Sequence, residues 1–178
     1  MAFKFIKTKI PEVVLIQPQV YKDNRGSFLE TFKQSEFKFH GLNLNFVQTN
    51  HSYSAKNVLR GLHYQTDPKA QGKLISVVQG EIFDVAVDIR RQSATYGQWV
   101  AEILSQANGN MLYLPQGFAH GFCVLSGSAY VIYQCTNEYS PENDAGILWC
   151  DPTIDISWPV KKPILSAKDA NLPLFGEV

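Results

Sequence analysis

The sequence predicts an all-β fold, a sandwich or barrel of antiparallel strands with a few short helices. Three observations carry this. Short runs rich in Val, Ile, Tyr and Phe follow one another along the chain, Gly-bearing turn signals separate them, and helical periodicity is weak. Strands that do not alternate with helical segments argue against a βαβ fold.

The elements follow in order. Val13–Ile16 is the first clear strand, and one short helix is expected at Gln34–Phe39. Further strands are expected at Phe46–Asn50, Leu74–Val78, Ile82–Ile89, Trp99–Leu104, Met111–Leu114 and Ala129–Cys135. Gln79-Gly80, Asn108-Gly109-Asn110 and Ser126-Gly127-Ser128 supply turns, and a second short helix is expected near the C-terminal end. Side chains on a strand alternate between faces, so Val131, Tyr133 and Cys135 share one side and Tyr130, Ile132 and Gln134 the other. A tyrosine on the inner face needs a partner for its hydroxyl, structural or catalytic.

Composition bounds the rest. A chain of 178 residues suits one domain over residues 1–178, and no repeat, linker or low-complexity tract divides it. With 45% apolar and 18% charged residues the chain can bury a core and is not disordered. Sixteen basic residues balance sixteen acidic ones, which argues against a nucleic-acid or membrane-surface binder. It leaves room for a local basic pocket holding one anionic ligand. Lys4, Lys7 and Lys9 interrupt the apolar residues before Pro11, so no secretory segment is expected, and no run is long enough to span a membrane. A cytoplasmic protein is the expectation. Cys123, Cys135 and Cys150 have no CxxC spacing and are expected to be three buried thiols.

Two segments carry chemistry. Gly109-x5-Pro115-x-Gly117-x2-His120 resembles the second motif of the cupin superfamily, with Val124 where the motif ends in Asn. The segment from Gly61 through His63 and Gln65 to Lys73 and Gly80 resembles the first, with Gln65 at the second histidine and Lys73 at the glutamate. The resemblance implies a cupin-type jelly roll, or double-stranded β-helix. A metal-binding cupin gathers three imidazoles and a carboxylate around one divalent ion. Here one imidazole is lost, and a protonated lysine has no lone pair to donate. No metal and no cofactor are expected. Two imidazoles and an ammonium instead suit proton abstraction beside a ketone. A neutral histidine acts as base near neutral pH, a lysine stabilises the enolate oxygen, and Tyr133 can return a proton from across the pocket.

Six ordered blocks then resemble the dTDP-4-dehydrorhamnose 3,5-epimerase family over nearly the whole chain. They are Asp23-Asn24-Arg25-Gly26 with Phe28 and Glu30, Gln48 to Ser52, Val58 to Gln65, Pro115 to Phe122, Tyr139-Ser140-Pro141, and Leu165 to Asp169. The resemblance implies a jelly-roll homodimer in which the N-terminal segment of one subunit contributes to the other's pocket. It implies His63 as general base, Asp169 orienting it, Tyr133 as acid and Lys73 at the C4 enolate. His120 falls on a sugar contact. Arg25, Glu30, Gln48, Asn50, Arg60 and Lys168 match nucleotide or diphosphate contacts, and Tyr139 matches a residue that stacks on thymine. Asp144 occupies a binding position where the family commonly has Glu. His40 and His51 match no block and read as ordinary polar positions.

The implied reaction is epimerisation at C3 and C5 of dTDP-4-dehydro-6-deoxy-D-glucose, giving dTDP-4-dehydro-L-rhamnose for dTDP-rhamnose biosynthesis. The competing readings are an epimerase of one carbon, a metal-dependent cupin enzyme and a non-catalytic sugar-nucleotide binder. Lys73 weighs against the metal enzyme. His63, Asp169, Lys73 and Tyr133 together weigh against the simple binder.

Overall fold

Alternating burial along successive strands sorts the chain into two facing antiparallel sheets. The computed structural model describes residues 2–177; Met1 and Val178, the two ends of the expected domain, lie outside the described residues. In chain order the strands are β1 (Phe3–Lys7), β2 (Val14–Pro18), β3 (Val20–Asp23), β4 (Gly26–Leu29), β5 (Gln48–Ala55), β6 (Leu59–Gln65) and β7 (Lys73–Gln79). They continue with β8 (Glu81–Asp88), β9 (Trp99–Ser105), β10 (Met111–Leu114), β11 (Phe118–Val124), β12 (Ser128–Cys135) and β13 (Asp144–Gly146). One sheet has six strands in the order β1-β2-β10-β7-β12-β5, the other five in the order β13-β6-β11-β8-β9, and β3 and β4 form a separate hairpin.

From β5 onward the chain passes from one sheet to the other at almost every turn, and only β8 and β9 are successive strands of the same sheet. This winding makes the two sheets a jelly roll, as the family resemblance implied. The crossings need glycine where space is short. Gly80, between β7 and β8, has a φ of +83°, and a Cβ there would lie 2.0 Å from the Ser128 carbonyl oxygen. No side chain fits.

The inner faces meet in one apolar cluster that includes Leu15, Ile75, Val77, Ile82, Ala86, Phe122, Val131 and Leu112. Opposite faces of the same strands build two further clusters. On the outside of the six-stranded sheet, Val14, Ile16, Leu74, Met111 and Tyr113 pack with Phe37 of helix α1 (Gln34–Phe39). On the outside of the five-stranded sheet, Val85, Val87 and Ala119 are covered by Ile154 and Phe175 from the C-terminal segment. Burying an aliphatic or aromatic side chain contributes about 1.5–3 kcal/mol, so three such layers hold both sheets in register.

Each expected strand is present, and most ends move by a residue or two. The largest displacement is the strand expected at Phe46–Asn50, which starts at Gln48 and runs on to Ala55 because it pairs with β12 over that length. The helix at Gln34–Phe39 is found as expected, whereas the C-terminal end carries two single-turn 3-10 helices, at Asp169–Asn171 and Phe175–Glu177. The expectation of three buried thiols is corrected. Cys123 and Cys135 are buried on strands, but Cys150 follows Trp149 in the turn after β13 and is exposed, and all three are free. Among the described residues no helix is long and apolar enough to cross a membrane.

Candidate active site

Strand register brings the two histidines of the motifs together. On the five-stranded sheet His63 of β6 is paired directly with His120 of β11, and both side chains line a cavity of about 320 Å³ between the sheets. Glycines let these strands approach so closely. A Cβ on Gly61 would sit 2.5 Å from the Gly121 Cα and 2.7 Å from the His120 carbonyl oxygen.

Each imidazole is held by a carboxylate. Nε2 of His63 lies 2.7 Å from Oδ1 of Asp169, at the start of the first 3-10 helix. An ionised carboxylate only accepts, so the neutral ring carries its hydrogen on Nε2 and its lone pair on Nδ1. Burial works to raise the Asp169 pKa, but the hydrogen bond and charge of His63 outweigh it and hold the group below the ordinary carboxylate value. Nε2 of His120 lies 2.7 Å from Oδ1 of Asp84 on β8, one strand further into the sheet. Asp84 is wholly buried, and its Oδ2 has no hydrogen-bond partner among the described residues. Burial pushes this carboxyl up, against the opposing effects of His120 and Lys73.

The six-stranded sheet forms the opposite wall. Lys73, Ile75 and Val77 share the inward face of β7, so the lysine that replaces the cupin glutamate does point into the cavity. Burial lowers its pKa, and Cys135, Asp144 and Asp84 act in the other direction. On β12 the expected alternation holds: Val131 and Cys135 are buried and Tyr133 lines the cavity. The Tyr133 hydroxyl lies 2.8 Å from Ser52 Oγ on β5. Desolvation raises its pKa well above the ordinary phenol value, and the Ser52 hydrogen bond opposes that rise.

The rim is polar. Arg60 and Lys168 line the cavity with Asn50, Tyr139 and Asp144, so three cations, counting Lys73, share the lining with one carboxylate among the described residues. A chain of zero net charge thus still concentrates positive charge at one opening. Tyr139 donates from its hydroxyl to Asp144 Oδ2 at 3.0 Å, and Lys168 forms an ion pair with the same oxygen. Gln48 donates to Asn50 Oδ1 at 2.9 Å and accepts from the Tyr139 backbone N–H at 2.7 Å, just behind the lining. Asp144 therefore sits at the rim as a support for Tyr139 and Lys168.

Two expected site residues lie elsewhere in the same chain. Arg25 sits on the β3–β4 hairpin, where it forks onto Asp23 at 2.6 Å with its side chain 85% exposed, and Glu30 lies just beyond β4. His51, read as an ordinary polar position, belongs to the cavity lining, whereas His40 stacks on Phe5 far along the outer cluster. The sequence reading missed Asp84 altogether. The available signal was periodicity: Ile82, Asp84 and Ala86 share one inward face of β8, and an acid among inward apolar positions needs a partner. Ser52 was legible as part of a block and carried no role.

The cupin ligand positions do not fit a metal here. Gln65 spends its amide on two loops, donating to the Lys69 carbonyl between β6 and β7 at 2.6 Å and to the Glu138 carbonyl beside Tyr139 at 3.2 Å, and accepting from the Ser140 N–H at 2.8 Å. Lys73 offers an ammonium, and both imidazoles direct Nε2 at carboxylates. No group of three or more His, Cys, Asp or Glu side chains suited to a metal ion occurs among the described residues.

Comparisons with known proteins agree on one family. The sequence model described as dTDP-4-dehydrorhamnose 3,5-epimerase matches residues 7–177. The enzyme of that name from Shigella flexneri is 54% identical over 167 residues, covering 93% of this chain and 92% of its own. The crystal structure of dTDP-6-deoxy-D-glucose-3,5-epimerase from Legionella pneumophila, in complex with dTDP-4-keto-L-rhamnose, superposes with a TM-score of 0.94 at 48% identity, covering 98% of this chain and 93% of that one. ChmJ, a 3'-monoepimerase from Streptomyces bikiniensis solved with dTDP-quinovose, superposes with a TM-score of 0.90 at 30% identity, covering 95% and 86%.

Proposed function

The chain belongs to the dTDP-4-dehydrorhamnose 3,5-epimerase family, and on that premise we propose that it inverts C3 and C5 of dTDP-4-dehydro-6-deoxy-D-glucose through an enolate. The observation that carries the reading is one cavity with a carboxylate-held imidazole on one wall, a tyrosine hydroxyl on the other and a half-buried lysine beside them.

In this mechanism His63 Nδ1 takes the proton from the carbon next to the ketone. The C–H electron pair moves onto the C4 oxygen as an enolate, which the Lys73 ammonium stabilises. The enolate pair then reforms the ketone while Tyr133 delivers its hydroxyl proton to the opposite face, and the carbon is inverted. Inversion of the second carbon repeats the cycle without release. This requires His63 to lose its proton and Tyr133 to regain one between rounds; the His63 side chain is 33% exposed, and the Tyr133 hydroxyl lines the same open cavity, so solvent takes up the one proton and returns the other. His120, held by Asp84, contacts the sugar. Arg60, Lys168, Gln48 and Asn50 anchor the nucleotide diphosphate, with Tyr139 as a platform for the base. Guanidinium and ammonium groups suit phosphate oxygens. Catalysis runs in the cytoplasm without metal or cofactor.

The same reading makes the protein one domain that works as a homodimer. The β3–β4 hairpin exposes Tyr21 and Phe28 at 55% and 66%, and β5 is an unpaired edge of the six-stranded sheet. Edges and aromatic patches of this kind are usually covered. Arg25 and Glu30 on this arm then enter the partner's cavity.

Proton NMR of the substrate with enzyme in D₂O tests the reaction: deuterium at both C3 and C5 is expected. Exchange at one carbon alone makes it a single-carbon epimerase. Mixing Arg25→Ala chains with His63→Ala chains tests the arm, because a mixed dimer holds one cavity with both residues intact. Recovery of activity is expected, and failure of demonstrated mixed dimers to recover any removes the shared site.

A further inference from the structure

Stereochemical inversion places a demand on Tyr133 that the lone side chain does not meet. A phenol packed against the apolar core holds its proton tightly, yet it must release that proton to a carbon at each inverted centre. What touches the hydroxyl therefore matters. Among the described residues its one hydrogen-bond partner is Ser52 Oγ, at 2.8 Å.

The backbone explains why the partner is Ser52. In the β5–β12 ladder, Asn50 lies directly opposite Tyr133 and Ser52 opposite Val131, so Ser52 is the diagonal neighbour on the same inward face. Asn50 is nearer in register, but its side-chain oxygen accepts from Gln48. A long tyrosine reaches a diagonal neighbour readily. Ser52 has no second side-chain partner among the described residues that would compete for its hydroxyl.

We propose that Ser52 is the positioning residue of the acid face: it aims the Tyr133 hydroxyl across the cavity and donates to the phenolate oxygen as the proton leaves. No bond of Ser52 breaks. The Tyr133 O–H bond breaks, its electron pair stays on oxygen, the proton forms the new C–H bond, and the Ser52 hydrogen bond strengthens onto a charged acceptor. The inference rests on the reading of Tyr133 as the acid. The direction of the tyrosine's shift is in keeping with it, since the Ser52 bond lowers a pKa that burial raises.

The test separates proton removal from inversion. In D₂O, wild-type enzyme, Ser52→Ala, Ser52→Thr and Tyr133→Phe are compared for deuterium uptake and for inverted product, with dTDP binding as the check on folding. Loss of one hydrogen bond to a developing charge predicts that Ser52→Ala lowers inversion relative to exchange by about tenfold while dTDP affinity stays within about twofold. Ser52→Thr keeps the hydroxyl and restores the wild-type ratio. A role confined to packing would lower exchange and inversion together, or neither. A wild-type ratio in Ser52→Ala, with inversion lost in Tyr133→Phe, overturns the proposal and leaves Tyr133 as the acid. A wild-type ratio in both removes the acid as well. Should Ser52→Ala fail to bind dTDP, Ser52→Cys, close in volume and a weak donor, is scored in its place: a reduced ratio supports the proposal and an unchanged one overturns it.

Discussion

The cavity holds two histidine–aspartate pairs with the same atoms at the same 2.7 Å separation, and they differ in almost everything around them. His63 has a third of its side chain exposed above an Asp169 that is 5% exposed and fixed by several hydrogen bonds, whereas His120 and Asp84 are 5% and 0% exposed and one Asp84 oxygen has no partner among the described residues. The carboxyls shift in opposite directions as a result, Asp169 below its ordinary value and Asp84 above it. A base that must discharge its proton between two inversions needs contact with water. A sugar contact needs a fixed ring. On the proposed mechanism one pairing chemistry would serve two tasks, with the exposure of each ring suiting it to its own.

The largest expected effect breaks the symmetry in rate. His63→Ala should lower kcat by about 10² to 10⁴ with dTDP affinity nearly unchanged, because the base touches only the reacting carbons. His120→Ala should act chiefly on KM, by about tenfold. Equal losses in kcat for the two variants would erase the distinction.

Lys73→Met comes next. Removing one stabiliser of the enolate oxygen should cost about 10² to 10³ in kcat. The fold should not suffer with it. A lysine whose folded-state pKa lies below its unfolded value of 10.5 binds fewer protons when folded, so wild-type stability rises with pH across the interval below 10.5. Lys73→Met lacks that slope and should melt at or above the wild-type temperature at pH 7. Melting well below it would show that the half-buried ammonium supports the fold.

Much of this arrangement was legible in the sequence, and the exceptions have physical reasons. Strands β7, β8, β9 and β12 are rich in β-branched and aromatic residues and declare themselves. Strands β6 and β11 do not, because Gly61, His63, His120 and Gly121 replace strand formers where the chemistry and the close approach require them. Motif spacing located those histidines although propensity could not locate their strands. Asp169 could be assigned from its block. Asp84 could not, since its role exists only through a diagonal contact between neighbouring strands. Arg25 and Glu30 could be named as anchors, but their hairpin stands apart from the cavity of their own chain.

A smaller effect sharpens the contrast between the two carboxylates through stability. Asp169 has a lowered folded-state pKa, so its contribution is present above the unfolded value of 3.8 and is lost as pH falls through the folded value. Asp84 has a raised one, so folded protein binds the extra proton and the ionised group costs stability as pH rises past 3.8. Asp169→Asn should therefore melt below wild type at pH 7, with the gap closing in acid. Asp84→Asn should melt at or above wild type at pH 7. Shifts of the same sign, read by thermal denaturation across pH, would contradict the opposite net shifts of the two carboxyls.

The smallest expected effect is none. Turnover should survive EDTA, because Gln65 commits its amide to two loops and Lys73 brings a positive charge to a ligand position. Loss on chelation, restored by one divalent ion, would recast both imidazoles as ligands.

The central claim is that one base, His63, serves both carbons while His120 serves neither. Counting deuterium by NMR in substrate incubated with His63→Asn and with His120→Asn enzyme in D₂O tests it directly. His120→Asn should still exchange both C3 and C5, and His63→Asn neither. Exchange at one carbon retained by His63→Asn and lost by His120→Asn would give each histidine a carbon of its own and contradict the account.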